Sequence, residues 1–341
     1  MSSDLVLVTG GSGFVGIHCI AALLRSGYRV RTTVRSLDRS GEILTMLTRA
    51  GLPDAEIDIV EAELTHDDGW PGAVESCRYV LHVASPFHIG KVRHEDDMVI
   101  PAREGTLRVL RAARDAAVQR VVLTSSFAAI GYGHSERAQP FTESDWTDLS
   151  GDDVSPYIKS KAIAERAAWH FLAREGGKLQ LTSVNPVGIF GPALGPKLSA
   201  SIEIIQRMLR GEMPGVPRIS FGAVDVRDVA ELELLAMTRP EANNQRYIAI
   251  SGQPIPFIEF ADILRQHLGP RGAKLPSRQL PDWFVRLFVL FKSDLREVIP
   301  QLGKRRPTTS AKASRELGWT SRPVPEALNS SADSLFELGL I

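Results

Sequence analysis

Thr9-Gly10-Gly11-Ser12-Gly13-Phe14-Val15-Gly16 is the stretch on which the reading of this chain turns. It follows the apolar run Leu5–Val8, a strand, and opens Val15–Ser26, where small and apolar residues recur with helical period. The glycines at 10, 13 and 16 suit a strand-turn-helix junction. Gly10 permits the tight turn out of the strand, Gly13 lets the backbone approach an anion, and Gly16 brings helix and sheet close together. Free N–H groups and the helix dipole, at Phe14 and Val15, favour a pyrophosphate there.

Working outward, short β-branched runs alternate with longer helical stretches, the pattern of βαβ units around a parallel sheet. Strands are expected at Leu5–Val8, Arg29–Val34, Ile57–Glu61, Tyr79–Val83, Val121–Thr124, Leu179–Val184 and Tyr247–Ile250. Helices are expected at Val15–Ser26, Val99–Ala117, Tyr157–Arg174 and Val224–Thr238. The fold class is α/β, a Rossmann-type doubly wound parallel sheet with a smaller, discontinuous substrate-binding lobe. The dinucleotide domain is expected over residues 1–186, with a return at about 222–250; the lobe takes residues 187–221 and 251–341.

Composition narrows the partners. The chain has 341 residues, 43% of them hydrophobic, enough for a full core. Forty basic and forty acidic residues cancel, so no long-range field gathers nucleic acid or an acidic membrane. Two cysteines, Cys19 and Cys77, make neither a disulfide framework nor a zinc site, so no metal is expected. With no basic, then apolar leader at the N-terminus, a cytoplasmic protein is expected. Trp283–Phe291, the most apolar late segment, is too short to span a bilayer and reads as a helix packed on the core.

The end of the second strand selects the dinucleotide. An acidic residue about 20 positions beyond the glycine motif would hold the 2′-hydroxyl of NAD, whereas a 2′-phosphate requires a cation. This strand ends Thr33-Val34-Arg35. A guanidinium forks onto phosphate and stacks on adenine, so Arg35, assisted by Arg39, points to NADP(H).

Ser155-Pro156-Tyr157-Ile158-Lys159-Ser160-Lys161 starts a helix and places Tyr157 and Lys161 one turn apart on one face. A phenol of pKa about 10 moves protons near neutrality only if its anion is stabilised, and a lysine ammonium does that. Lys161 can also hold the nicotinamide ribose. A further donor is expected where the strand Val121–Thr124 runs into Ser125-Ser126, with Ser126 the first choice and Ser125 the second. Hydride delivery to a carbonyl carbon would then accompany proton transfer from Tyr157 to its oxygen.

Taken together, TGGSGFVG at 9–16, TVRSLDR at 33–39, VLHVASPF at 80–87, LTSSFAAI at 123–130, PYIKSK at 156–161, NPVGIFGP at 185–192, VDVRDVA at 224–230 and AKASRELGW at 311–319 resemble the extended short-chain dehydrogenases/reductases. Within them the chain is most similar to the dihydroflavonol reductase and cinnamoyl-CoA reductase group. The resemblance implies that Ala84 and Ser85 lie near the cofactor's ribose and phosphates, and Pro186, Val187 and Ile189 near the nicotinamide. It sets Glu63-Leu64 beside the adenine, where the family more often has Asp-Leu. Glu104 stands where many relatives carry Asn. The resemblance leaves the substrate open.

His88, Tyr132, His134 and Phe221 are possible pocket residues for which packing is the simpler role. Asp225, Arg227 and Asp228 read as an ion-pair network between lobes. The competing readings are a nucleotide-sugar epimerase or dehydratase, a hydroxysteroid dehydrogenase, and a non-catalytic NADP(H)-sensing protein. A small-molecule carbonyl substrate is the expected partner. The chain is read as a monomer or homodimer, the latter through the helices at Val99–Ala117 and Tyr157–Arg174.

Overall fold

A computed structural model describes residues 4–85, 94–288 and 293–341. In chain order, the first half runs β1 (Leu5–Val8), α1 (Phe14–Arg25), β2 (Arg29–Val34), α2 (Ser40–Arg49), β3 (Asp58–Glu61), α3 (Trp70–Val74), β4 (Cys77–His82), α4 (Asp96–Asp115), β5 (Arg120–Thr124), α5 (Pro156–Glu175) and β6 (Gln180–Pro186). The second half runs β7 (Gly188–Phe190), α6 (Ala200–Leu209), β8 (Ser220–Phe221), β9 (Ala223–Asp225), α7 (Val226–Thr238), β10 (Arg246–Ala249), β11 (Ile255–Pro256), α8 (Phe257–Leu268), α9 (Asp282–Phe288), α10 (Ala311–Leu317) and α11 (Val324–Glu337).

Seven strands form one sheet in the order β10-β6-β5-β4-β1-β2-β3, parallel throughout. Strand order reverses between β1 and β4, and ligands of open α/β sheets bind beyond the carboxyl ends at such a switch point. Side-chain alternation divides the core in two. Val6 and Val8 face a cluster with Ile17, Ile20, Leu23, Leu232 and Trp319. Leu5 and Leu7 face Trp70, Val109, Leu110 and Phe171 on the other side. Each such side chain, fully buried, contributes about 1.5–3 kcal/mol. The expected strands are all present, two of them with identical ends and the others with ends displaced by one or two residues; β4 starts at Cys77 and β6 continues to Pro186.

A third cluster, with Phe190, Ile202, Ile205, Val216, Phe257, Phe260 and Leu328, draws on stretches before β9 and after β10. Phe14, from the glycine turn, packs against it. Small strand pairs link these stretches, β7 with β9 and β11 with β8.

The late apolar segment departs from expectation. It is helical over Asp282–Phe288, but of the side chains described there only Val285 is buried, while Trp283 is 66% exposed and Leu287 also faces outward. Arg286 on the third side breaks the apolar stripe a core helix needs. Residues 289–291 of this stretch lie outside the described residues. No described helix is long and apolar enough to cross a membrane. Cys19 and Cys77 are buried free thiols, and the described residues hold no cluster of three or more metal-ligating side chains.

Candidate active site

The glycine turn sits at the carboxyl end of β1. Gly10 has φ +72°, a left-handed conformation that costs glycine little, and its carbonyl accepts from Gly13 N–H at 2.9 Å. Gly16 closes on the turn itself rather than on the sheet, a correction to the expected role. A Cβ there would stand 2.5 Å from the Gly10 carbonyl oxygen. Gly11, which the spacing did not single out, is equally confined, because a Cβ would overlap Thr32 Oγ1. At Gly13, which caps α1, a Cβ would meet only the Gly10 carbonyl, so the outer side is open. No side chain caps α1 and no acidic residue lies in its first turn. An anion therefore meets the N–H groups of Phe14 and Val15 without a competitor, and the turn fits a pyrophosphate.

Beside it, Thr9 joins the ends of β1 and β4. Its hydroxyl accepts from Ala84 N–H at 2.9 Å and contacts His82 Nδ1 at 2.9 Å. Burial, then Lys161, lowers the His82 pKa to about 3. Ala84 thus lies against Gly10, where an added Cβ would come within 3.1 Å of its own. Ser85 is exposed, and its Oγ accepts from Lys161 Nζ at 2.9 Å.

At the end of β2, Arg35 is exposed; Arg39 is engaged with Glu42, Nη2 to Oε2 at 3.0 Å. Beyond β3, Glu63 is half-buried and its carbonyl accepts from Trp70 Nε1. Leu64 is buried against Gly105 of α4, where a Cβ would come within 2.9 Å of Leu64 Cβ. Glu104 pairs with its neighbour Arg103 at 2.7 Å.

Helix α5 carries Tyr157 and Lys161. Ser155 accepts from Ile158 N–H and Pro156 takes the first helical position, which starts the helix one residue before Tyr157. Tyr157 is 45% exposed, unusual for an aromatic ring, yet burial raises its phenol pKa. The Ser126 side chain opposes that rise. Lys161 Nζ lies 5.9 Å from the Tyr157 ring centroid and points to Ser85. Burial lowers its pKa to about 8.

The two serines separate cleanly. Ser126 Oγ accepts from Ala128 N–H at 3.1 Å and faces Tyr157. Ser125 is buried and donates to Glu165 Oε2 at 2.5 Å. Glu165 also accepts from Ser183 Oγ, Asn185 Nδ2 and Arg246 Nε, at 3.0, 2.6 and 2.7 Å. Asn185 Nδ2 further donates to the Ser126 carbonyl at 3.1 Å, so this buried network holds the Ser126 backbone. Glu165 was missed in the sequence although it follows Lys161 by four, as Lys161 follows Tyr157.

Pro186 ends β6, and Val187 and Ile189 are half-buried beside it. Tyr132 stacks under Arg306, 4.2 Å from guanidinium carbon to centroid, and packs edge-on to Phe127. His134 contacts the Trp146 carbonyl at 3.0 Å and the Phe141 ring. Phe221 joins an aromatic group with Phe257 and Phe260. All three pack, and His88 lies outside the described residues. Asp225 caps α7 and pairs with Arg227, which reaches Glu326 at 3.2 Å, and Asp228 pairs with Arg322. These pairs tie α7 to α11 and the segment before it.

Comparison with known proteins places this geometry. The chain matches the NAD dependent epimerase/dehydratase family over residues 6–250. It is 31% identical to the cinnamoyl-CoA reductase of Medicago truncatula over 287 residues, 82% of this chain and 83% of that one. It is likewise 31% identical to the NADPH-dependent methylglyoxal reductase of Saccharomyces cerevisiae, over 76% of this chain and 82% of that one. The crystal structure of yeast methylglyoxal/isovaleraldehyde reductase complexed with NADPH superposes with a TM-score of 0.80 at 27% identity, covering 99% of this chain and all of that one.

Proposed function

The chain belongs to the NAD dependent epimerase/dehydratase family, among the extended short-chain dehydrogenases/reductases of the dihydroflavonol and cinnamoyl-CoA reductase group, and on that premise we propose that it is an NADPH-dependent carbonyl reductase in which Tyr157 protonates the product oxygen. The observation that carries the reading is Tyr157 with the Ser126 side chain acting on its phenol and with Lys161 one turn along α5, tied to Ser85.

NADPH, when bound, supplies the hydride. Gly13, Phe14 and Val15 hold its pyrophosphate through backbone N–H groups, with Gly10 and Gly16 shaping the turn. Arg35 and Arg39 take the 2′-phosphate, and Glu63 and Leu64 border the adenine. Ala84, Ser85 and Lys161 flank the ribose nearest the reaction, and Pro186, Val187 and Ile189 wall the nicotinamide. We place the substrate between this surface and the lobe formed by residues 187–221 and 251–341.

The proton path belongs to this chain's own residues. Ser126 and Tyr157 hydroxyls hydrogen-bond the carbonyl oxygen and polarise it. As negative charge grows there, Tyr157 gives up its proton to that oxygen and the Lys161 ammonium stabilises the remaining phenolate. Burial alone works against that step, since it raises the phenol pKa. Lys161, with a pKa of about 8, is mostly cationic at pH 7 and offsets the penalty from the adjacent turn.

The test is oxidation of NADPH in the presence of aldehydes, ketones, β-keto esters or aromatic CoA thioesters, with no sugar nucleotide added. Tyr157→Phe should lower kcat by about 10²–10⁴-fold with the NADPH dissociation constant unchanged. Near-normal turnover in that variant would falsify the assignment.

A further inference from the structure

A cavity of about 350 Å³ opens beside the glycine turn, lined by Ser12, one face of α2 including Glu42 and Arg49, and Lys197 from the loop after β7. Two cations converge on one carboxylate at its mouth. Lys197 Nζ stands 3.1 Å from both Glu42 oxygens, and Arg39 Nη2 donates to Glu42 Oε2 at 3.0 Å. Arg49 Nη1 donates to the Leu194 carbonyl at 3.0 Å, which fastens the loop to α2 and adds a third positive charge. Gly195 lies on Met46, so closely that a Cβ would come within 2.9 Å of its sulfur. The loop is thus held across the cavity while Lys197 remains 60% exposed and Glu42 43%.

We propose that Lys197 is a further cofactor-binding residue: together with Arg39 it clamps the 2′-phosphate of NADPH, and Glu42 holds the two cations in place until the phosphate displaces it. The inference rests on the NADPH reading given above. Its position follows from its surroundings, since Ser12 of the glycine turn and Glu42 line the cavity, and Arg39, bound to Glu42, lies one short turn beyond Arg35. The exchange is favoured by charge, because a phosphate monoester carries close to two negative charges at pH 7 and three acceptor oxygens against the carboxylate's one and two. It is also inexpensive, because ion pairs this exposed contribute little net stability. Released Glu42 turns to solvent, where its carboxylate is fully hydrated.

Calorimetric titration of the full chain with 2′-phospho-ADP-ribose and with ADP-ribose isolates the single phosphate. Wild-type protein is expected to bind the phosphorylated ligand more tightly; equal affinity overturns the NADPH reading itself. Given that preference, Lys197→Met should weaken 2′-phospho-ADP-ribose by about five- to twentyfold and leave ADP-ribose unchanged, one charge-assisted contact being lost. Glu42→Gln should tighten 2′-phospho-ADP-ribose by about threefold, since the competitor is removed at constant size. A preference that survives intact in Lys197→Met, a Glu42→Gln that does not tighten, or effects equal on both ligands overturns the clamp and leaves the cofactor reading standing. Melting temperatures within about a degree of wild type accompany a clean result, both side chains being largely exposed.

Discussion

Glu233→Gln should stabilise the protein at neutral pH and do so less as the pH falls. Glu233 lies on α7 under the sheet, fully buried; its Oε1 accepts from Thr124 Oγ1 at 2.7 Å, and its Oε2 has no partner among the described residues. Burial pushes its carboxyl from an ordinary 4.5 up to about 8, against the opposing Thr124 hydrogen bond. The unfolded chain therefore releases this proton above pH 4.5 while the folded chain keeps it until about pH 8. With the native state binding the extra proton, stability falls as pH rises through that window, at about 1.4 kcal/mol per pH step. The accumulated cost is under about 1 kcal/mol at pH 5 and about 3 kcal/mol at pH 7. A glutamine keeps the acceptor for Thr124 and carries no such cost. Urea unfolding followed by circular dichroism at pH 5, 6, 7 and 8 should show wild type and variant diverging by about 3–4 kcal/mol across the series. A constant difference, or a variant that is the less stable at pH 8, refutes the reasoning.

The same titration contains a term of opposite sign. Burial lowers His18 to about 4 and His82 to about 3, so both stay neutral in the fold while the unfolded chain takes up protons below pH 6.5. Stability is lost as pH falls from there, by about 2 kcal/mol per histidine at pH 5; in Glu233→Gln, His82→Gln should remove about half of that slope, and an unchanged slope in urea unfolding counts against it. Ser125→Ala and Ser126→Ala should part company. The first leaves Glu165 short of a donor in a buried site and costs about 1–3 kcal/mol of stability by thermal melting, whereas the second lowers kcat with little change in melting. Equal effects on both readouts would contradict the geometry. Gly16→Ala pushes a methyl into the Gly10 carbonyl, so fluorescence titration should show NADPH affinity reduced at least about tenfold; wild-type affinity would mean that the turn adapts.

Much of the architecture is local in origin and so legible in one dimension. Continuous apolar runs such as Leu5–Val8 and helical periods such as Val15–Ser26 report burial directly, and turn glycines mark where one becomes the other. Tyr157 and Lys161 share a face because the helix repeat says so, and Arg35 stands at a strand end because the strand ends there. What pairs distant positions is not written in any period. Glu165, Asn185 and Arg246 meet behind Ser126 only once β5, β6 and β10 align, and that meeting separates Ser126 from Ser125. Glu42 and Lys197 are far apart in sequence and face each other because a loop crosses α2. Gly11 needs its space because Thr32 of the neighbouring strand occupies the other side. The sequence by itself determined the sheet, the phosphate turn and the tyrosine-lysine pair, since hydrophobic period and backbone sterics act between near neighbours. Tertiary structure alone decided which serine faces the tyrosine, where Lys161 points, and which loop crosses α2, since those depend on packing between elements that the chain brings together last.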